Sequence, residues 1–366
     1  MNPFRTTIDH TRSLLGPANP VPGDVLTDSW SDPEGQAAYQ RIVSTPAQGT
    51  PAAGQPGRRR PLAATVAATT VVVVAAGLLT VWLRPSGASP TATAPPLRYT
   101  LTGVSRPAAA VALPDARSVL LRLARVAASQ PADPPPRGAD VGYVLTNEWF
   151  MSTAVAGGVA QSTIIPHVDQ TWSRQGGAVR QVQRTGRPVA AAVSSPRALS
   201  QLAGNAPSTV ATYPPAAAAA GPSVRGLSLN PARLRAQLLH AFPYEHTDWP
   251  ASYHLIRIIT DLNHQVVPPA LEATLWQVLA GQRDMQNMGT VTDRAGRPGD
   301  AVAFTDRQGV ERLVLIISPS SGRLIGWEDM FLRNPGGLSI TTYPAVIGYV
   351  SFLTNGWTTN MTTPVS

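Results

Sequence analysis

The histidines are the residues of this chain best suited to bind a metal ion, and four of the six lie close together in the sequence. Intervals of six, eight and ten residues separate His240, His246, His254 and His264. A metal site on a helix needs two ligands about four residues apart, so that both imidazoles project from one face. Because none of these intervals meets that requirement, the sequence predicts no bound metal.

Glu328 and Asp329 are adjacent carboxylates, a residue type that serves as general acid or base. They belong to a segment with the composition of a β-strand, in which consecutive side chains point to opposite faces of the sheet. We therefore expect them to lie apart and not to act as a pair. Asp293 and Asp306 each open a Gly-containing turn, where Asp commonly accepts hydrogen bonds from its own backbone, so turn formation is predicted for both.

The absence of two residue types, Cys and Lys, excludes several kinds of catalytic and binding site. The chain has no Cys, and all 29 of its basic residues are Arg, so it has no Lys either. A thiolate nucleophile, a disulfide, a Schiff base and a P-loop are thereby excluded. No Gly-x-Ser-x-Gly or Gly-x-Gly-x-x-Gly motif is present. The sequence predicts a protein that is not an enzyme and has no cofactor; a hydrolase built from scattered Ser, His and Asp residues is the third-ranked alternative.

Tryptophans offer a candidate binding surface in the C-terminal part of the chain. If their rings lie on one concave face of a sheet, they would line an apolar groove for a lipid or a peptide. An ordinary hydrophobic core is the alternative, and it is the commoner use of such rings. The candidate groove residues are Trp149, Trp172, Trp276 and Trp327.

Strands and helices that could position these residues follow Leu97 in a regular order. The run LRYTLTGV, residues 97–104, alternates Leu97, Tyr99 and Leu101 on one side and predicts a strand. The run ARSVLLRLARVAA, which follows Asp115, predicts an amphipathic helix. Three alternating runs, VGYVLTNEWFMSTAV, STIIPHVDQTWSR and GAVRQVQR, then predict an antiparallel meander. The helical stripe expected to face the core consists of Val119, Leu120, Leu123 and Val126.

The second half repeats this order of helices before strands. Residues 188–226 are rich in Pro, Ala and Ser and predict an exposed, low-complexity excursion. Helices are predicted over 231–240, 249–264 and 270–280, the last with Leu271, Leu275, Val278 and Leu279 facing inward. The runs MGTVTD, DAVAFTD, VERLVLIIS and RLIGWEDMFL predict strands joined by Gly-containing turns. The predicted fold class is α+β, an antiparallel sheet with packed helices.

A membrane span is predicted ahead of this domain. Residues 62–83, from Leu62 through Val71 to Leu83, contain neither charge nor Pro. Their 22 residues cover about 33 Å as a helix, enough to cross a bilayer. An arginine triplet, Arg58, Arg59 and Arg60, precedes the span, whereas a single arginine follows it. The positive-inside rule therefore places residues 1–61 in the cytoplasm and the C-terminal part outside.

The regions outside the span differ in character. Residues 1–61 are mostly loop-like, with one short amphipathic helix over 31–43 that is a candidate docking segment for a cytoplasmic partner or, alternatively, a frayed tail. Residues 84–96 predict an extended stalk, and 97–366 the folded domain. Of the formal charge of +8, residues 1–60 carry +1 (six Arg, five acids) and residues 84–366 carry +7 (23 Arg, 16 acids). These arginines are scattered, so nucleic acid is not predicted as a partner.

Several segments carry a resemblance to a known family: LTDSWSDPEGQAAYQRIV ahead of the span, GYVLTNEWFMS, VPPALEATLWQVLAG, GTVTDRAGRPG and SPSSGRLIGWE. They resemble an uncharacterised family of actinobacterial single-pass membrane proteins, often encoded beside extracytoplasmic-function sigma factors. The family usually has Asp where Ser318 stands. The element order also resembles the half-barrel of lipoprotein carriers and envelope-stress regulators. The resemblance implies an envelope sensing or binding domain linked to a sigma factor or its inhibitor, with a lipid or lipoprotein carrier as the alternative.

Overall fold

The computed structural model describes residues 93–100, 113–132, 135, 137–156, 159–174, 177–187, 189, 208–214, 223–241, 249–335, 340 and 342–365. The predicted cytoplasmic tail, its 31–43 segment and the predicted span lie outside these residues, as does the predicted stalk up to residue 92. So do Arg58, Arg59, Arg60, Leu62, Val71 and Leu83. Within the part described, no helix is long and apolar enough to cross a membrane.

Four helices and nine strands make up the described residues. The helices are α1 (Arg117–Ala128), α2 (Pro231–Ala241), α3 (Ala251–Leu262) and α4 (Pro269–Ala280). The first group of strands is β1 (Val141–Ala156), β2 (Val159–Arg174), β3 (Val179–Thr185) and β4 (Ser208–Tyr213). The second group is β5 (Met285–Thr292), β6 (Pro298–Thr305), β7 (Glu311–Ile317), β8 (Leu324–Phe331) and β9 (Ala345–Thr358).

All nine strands form one antiparallel sheet in the order β4-β3-β2-β1-β9-β8-β7-β6-β5. Strands β1–β4 make one meander and β5–β9 a second, and the pairing of β1 with β9 joins the two. The predicted α+β fold class, with an antiparallel sheet and packed helices, is therefore confirmed. Gly296, Gly309 and Gly322 in the predicted turns all adopt positive φ, which glycine reaches without steric cost.

The two faces of the sheet carry separate hydrophobic clusters. We call the face with Leu315 and Val350 the helix face, because residues of all four helices pack in its cluster. We call the face with Val314 and Tyr349 the outer face; its smaller cluster includes Trp149. Since adjacent residues of a strand alternate between the faces, both clusters contain residues of the same strands.

The helix predictions are confirmed to within about two residues, and so are the four inward positions of α4, all of which are buried. In α1 the buried stripe is rotated relative to the prediction. Leu120 and Leu123 are buried as expected, but Ala124 and Ala127 complete the stripe while Val119 and Val126 are only partly buried. The reason is close packing, because the turn at Gly322 approaches Ala127 so closely that only a small side chain fits there.

Residues 93–100, which we call the crossing segment, depart from the prediction of a strand. Ala94 pairs with Val346 of β9, and Thr100 pairs with Thr290 of β5, as isolated bridges. The six Cα–Cα steps from Ala94 to Thr100 reach about 20 Å when extended, which matches the roughly 19 Å across the five strands from β9 to β5. The segment therefore crosses the strands and cannot form a ladder with any one of them. Ala94, predicted to lie in the stalk, is only 2% exposed.

Two strands lie where the sequence predicts none. Strand β4 falls inside the predicted 188–226 excursion and pairs with β3 at the edge of the sheet. Strand β9 is 14 residues long and central, yet no run of its sequence was singled out as a strand. It contains Gly348, a residue unfavourable to strands, at a point where an added Cβ would lie 3.0 Å from Phe150 Cδ1. Close packing between β9 and β1 therefore explains the glycine that weakens the strand pattern.

Candidate ligand-binding site

A polar cluster lies on the helix face of strands β1, β2 and β3. The strand register places its members side by side, since Thr146 pairs with Asp169 and Asp169 pairs with Gln183. Residues paired across antiparallel strands share a face and contact each other. We call this cluster the carboxyl site, and its members are Thr146, Glu148, His167, Asp169, Gln181 and Gln183.

Alternation along β1 explains how the carboxyl site joins the hydrophobic core. Val144 and Phe150, which point to the same face as Thr146 and Glu148, both pack in or against the helix-face cluster. Phe150 lies 5.8 Å from the ring of Trp327. The polar residues are thus held in place by apolar neighbours at both ends of the same strand.

Glu148 and Asp169 form a buried pair of carboxyl groups, 7% and 4% exposed respectively. Burial raises the pKa of Glu148 well above its ordinary value, and a hydrogen bond with Asp169 and the negative charge of Asp169 raise it further. The raised pKa favours the protonated form of Glu148 beside Asp169. The side-chain amides of Gln181 and Gln183 donate to Asp169 Oδ2 at 3.3 and 3.1 Å.

Two imidazoles flank the carboxyl pair. His167 Nδ1 lies 3.1 Å from Thr185 Oγ1, and His264, which follows α3, meets Phe352 edge to face at 5.4 Å between centroids. Burial lowers the pKa of both histidines, while the charge of Asp169 acts in the opposite direction. Both rings are consequently neutral at pH 7. No group of three potential ligands for a metal ion occurs among the described residues.

Two oxygen atoms of the carboxyl site, Thr146 Oγ1 and Asp169 Oδ1, have no hydrogen-bond partner among the described residues. Thr146 is 1% exposed, and its hydroxyl has no hydrogen-bond partner among the described residues. Neither Glu148 nor Asp169 forms an ion pair with an arginine in the described part of the chain. A buried acceptor without a donor costs about 1–3 kcal/mol. The site is therefore suited to accept hydrogen bonds from a bound molecule.

Two other buried charge clusters are internally paired. On the helix face, Arg257 of α3 lies 2.8 Å from Asp329 and 3.3 Å from Glu311. On the outer face, Arg294 forms an ion pair with Glu328, and both side chains are fully buried. Because these carboxylates have arginine partners, they hold elements of the fold together. The prediction that Glu328 and Asp329 point to opposite faces is confirmed.

The predicted turn roles of two aspartates are also confirmed. Asp293 Oδ1 accepts hydrogen bonds from the backbone N–H groups of Ala295 and Arg297, at 2.9 and 2.7 Å. Asp306 Oδ1 accepts one from Val310 at 2.7 Å. Asp293 additionally receives the guanidinium of Arg297, whose Nε and Nη2 both donate to its Oδ2.

The four candidate groove tryptophans do not share one face of the sheet. Trp276 and Trp327 belong to the helix-face cluster, Trp149 to the outer-face cluster, and Trp172 to a third cluster with Tyr143. All four are at most 7% exposed. Trp276 Nε1 donates to the carbonyl of Gly322 at 2.6 Å, and Trp172 Nε1 donates to that of Thr363 at 3.0 Å. Their packing is that of core residues, which was the alternative interpretation of the sequence.

The sequence contains one signal for the carboxyl site, although the motifs considered above do not include it. Positions 144, 146, 148 and 150 point to one face of β1, and Glu148 is a charged residue between Val144 and Phe150 on that face. A charged residue on an apolar face of a predicted strand marks a buried polar group.

Comparison with known proteins identifies no relative: the chain matches no family model, no curated protein and no solved structure. The function is therefore inferred from the carboxyl site and from the sequence.

Proposed function

We propose that this chain is a single-pass membrane protein of the cell envelope whose C-terminal domain binds a small polar ligand outside the membrane and acts as a sensor. The carboxyl site is the observation that carries the ligand-binding part. It combines a buried carboxyl pair, two side-chain amides, the imidazole of His167 and a hydroxyl without a partner among the described residues on one face of three neighbouring strands, with the imidazole of His264 nearby.

The composition of this site favours a polar ligand over a lipid chain. An acyl chain packed against Asp169 and Thr146 would exclude water and supply no donor, so each acceptor would lose about 1–3 kcal/mol. A lipid or lipoprotein carrier is the second candidate, and the resemblance to the carrier half-barrel supports it. For the polar-ligand sensor and for the lipid carrier alike, we propose that the nine-stranded sheet curves as a half-barrel around its helices.

The membrane and signalling parts of the proposal rest on the sequence. The apolar segment 62–83 and the arginines before it support a cytoplasmic N-terminus and an extracytoplasmic domain. The resemblance to proteins encoded beside sigma factors supports contact between residues 31–43 and a sigma factor or its inhibitor. No catalytic role is proposed for any residue.

Ligand binding is tested with the full-length chain in detergent micelles and a panel of neutral, anionic and cationic small polar molecules. At least one of them should raise the melting temperature of the wild type and slow hydrogen exchange in β1–β3. The isosteric variant Asp169→Asn should lose the effect. Asp140→Asn, which changes an exposed carboxylate 45% accessible to solvent, should keep it. If no compound stabilises the wild type, or if Asp169→Asn responds equally, the binding proposal is wrong.

Membrane anchoring and signalling need separate tests. An antibody to the C-terminus should detect the full-length mass in the membrane fraction, and protease added outside intact spheroplasts should digest the domain. Affinity purification of the full chain should recover a sigma factor or its inhibitor, and deletion of residues 31–43 should abolish that recovery. Recovery that is unchanged by the deletion would eliminate the docking role of this segment.

A further inference from the structure

We propose that the carboxyl site takes an organic cation, a small molecule with a primary ammonium or guanidinium group whose N–H donors bind Asp169 and Thr146. This inference rests on the proposed ligand-binding function and specifies the chemical class of its ligand.

The first step is a comparison of the buried acids. Eight Asp and Glu side chains are buried among the described residues. Five of them form ion pairs with arginine, namely Asp293, Asp300, Glu311, Glu328 and Asp329. A sixth, Glu272, lies within the electrostatic field of Arg323. Within this set only Glu148 and Asp169 have no arginine to compensate their charge. A buried carboxylate is costly without a partner, so a cation from outside the chain fits the site.

The second step is the unpartnered hydroxyl. Thr146 Oγ1 has no hydrogen-bond partner among the described residues, although its side chain is 1% exposed. The register pairs Thr146 with Asp169, so both side chains are on the helix face of adjacent strands. This hydroxyl is an observation separate from the acid pair, and its oxygen can accept a hydrogen bond beside the carboxylate of Asp169. An ammonium has three N–H donors and a guanidinium five, which can bind both acceptors at once.

The third step concerns the neighbours of the carboxylate. Gln181 and Gln183 both donate to Oδ2 of Asp169, which fixes its orientation. Burial keeps His167 and His264 neutral, so neither repels a cation. Among the described residues, no three His, Asp or Glu side chains group closely enough to hold a metal ion. These features favour an organic cation over an inorganic one.

Cation binding at this site should release a proton. The titratable groups that face Asp169 are Glu148 on β1, His167 on β2, Tyr213 on β4 and His264 after α3; β3 contributes only amides and a hydroxyl. A bound positive charge favours the ionised form of Glu148 and so opposes the effects that raise its pKa. Binding should therefore tighten as the pH rises through the range in which Glu148 of the free protein loses its proton.

The test uses the full-length chain in detergent micelles with four probes of similar length. Putrescine and agmatine are the cationic probes, 1,4-butanediol is the neutral one and succinate the anionic one. We expect saturable binding by calorimetry for the two cations only. Thr146→Val should weaken it about tenfold and Asp169→Asn about 100-fold, as expected for one neutral and one charge-assisted hydrogen bond. Asp140→Asn should bind as the wild type does.

The possible results distinguish failure of the cation assignment from failure of the proposed ligand-binding function. If butanediol or succinate binds and Asp169→Asn removes that binding, the site binds ligands but the cation class is wrong. If no probe and no compound of the wider panel binds, both proposals fail. Should Asp169→Asn not fold, Thr146→Val decides alone, because valine replaces threonine isosterically in a strand and equal affinity in this variant would overturn the assignment.

Discussion

Glu328 and Asp329 are consecutive residues of β8, yet their carboxylates bind different arginines on opposite faces of the sheet. Glu328 pairs with Arg294 on the outer face, where Tyr99 of the crossing segment also donates to it. Asp329 pairs with Arg257 of α3 on the helix face. One strand therefore fixes the crossing segment on one side and a helix on the other, so loss of either contact should affect a different part of the domain.

Replacing Arg257 with Met should destabilise the domain by about 3–5 kcal/mol, because both Asp329 and Glu311 would lose their buried cation. Glu311→Gln should cost far less. Burial and the negative charge of Asp329 raise the pKa of Glu311 well above its ordinary value, and Asp329 keeps its shorter ion pair with Arg257 in this variant. Urea unfolding of the full chain measures both variants.

Arg174→Met is the matched control for that comparison. Arg174 pairs with Asp140 at 2.7 Å, but both side chains are more than 40% exposed, and such surface pairs contribute about 0–1 kcal/mol. An equal loss of stability in Arg174→Met and Arg257→Met would show that the buried cluster has no special role.

Tyr99→Phe should loosen the crossing segment without unfolding the sheet. The phenol donates to Glu328 Oε2 at 2.6 Å, and burial is the largest cause that raises the pKa of Tyr99 and keeps it neutral. Loss of this bond to a buried carboxylate should cost about 1–3 kcal/mol. The amides of Ala94 and Thr100, which bond to Val346 and Thr290, should then exchange hydrogen faster.

Arg98→Gln changes an exposed neighbour in the same segment and serves as the control. Its exchange rates should equal those of the wild type. Unchanged exchange at Ala94 and Thr100 in Tyr99→Phe would show that the phenol does not hold the segment in place.

The parts of the fold that local patterns specify were predictable. Helix α4 begins at Pro269, a residue suited to the first turn of a helix, and its inward leucines recur at helical spacing. The strands of both meanders alternate in polarity, and glycines mark the turns between β5 and β8. Each of these signals lies within about ten residues of sequence, which is why the sequence sufficed.

The parts that depend on distant contacts were not predictable. Strand β9 contains Gly348 because Phe150, about 200 residues earlier, occupies the space of a side chain there. The crossing segment has strand-like alternation, but its partners, Val346 and Thr290, lie on strands at opposite ends of the second meander. For the carboxyl site, alternation marks Glu148 as buried, whereas only the register of β1 with β2 brings it to Asp169.

Glu272 should make the stability of the domain depend on pH. Burial raises its pKa to about 8, against 4.5 for an ordinary glutamate, and its Oε1 accepts a hydrogen bond from the N–H of Leu324 at 2.6 Å. The folded state thus binds a proton that the unfolded state releases. The contribution of Glu272 is complete below pH 4.5 and is lost as the pH rises towards 8.

Glu272→Gln keeps the acceptor for Leu324 and removes the titration. Between pH 5 and 7.5 the unfolding free energy of the wild type should fall faster than that of the variant, by up to about 1.4 kcal/mol per pH unit. Urea unfolding at intervals of half a pH unit measures the difference. Parallel curves for the two proteins over this range would contradict a protonated Glu272.

Gly322→Ala should be one of the most damaging changes outside the charge clusters, because this turn is where α1 and α4 meet the sheet. An added Cβ would lie 2.7 Å from Ala127 Cβ, and the carbonyl of Gly322 accepts the hydrogen bond from Trp276. Gly309→Ala is the matched control, since Gly309 has a similar positive φ of 65° but no atom within 4 Å of the added Cβ. The control should cost only the conformational penalty of about 1–2 kcal/mol, and Gly322→Ala a further 1–3 kcal/mol from overpacking. Equal midpoints of unfolding for the two variants would mean that α1 moves to accommodate the added methyl group. In that case, contact with Gly322 would not determine which residues of α1 are buried, namely Leu120, Leu123, Ala124 and Ala127.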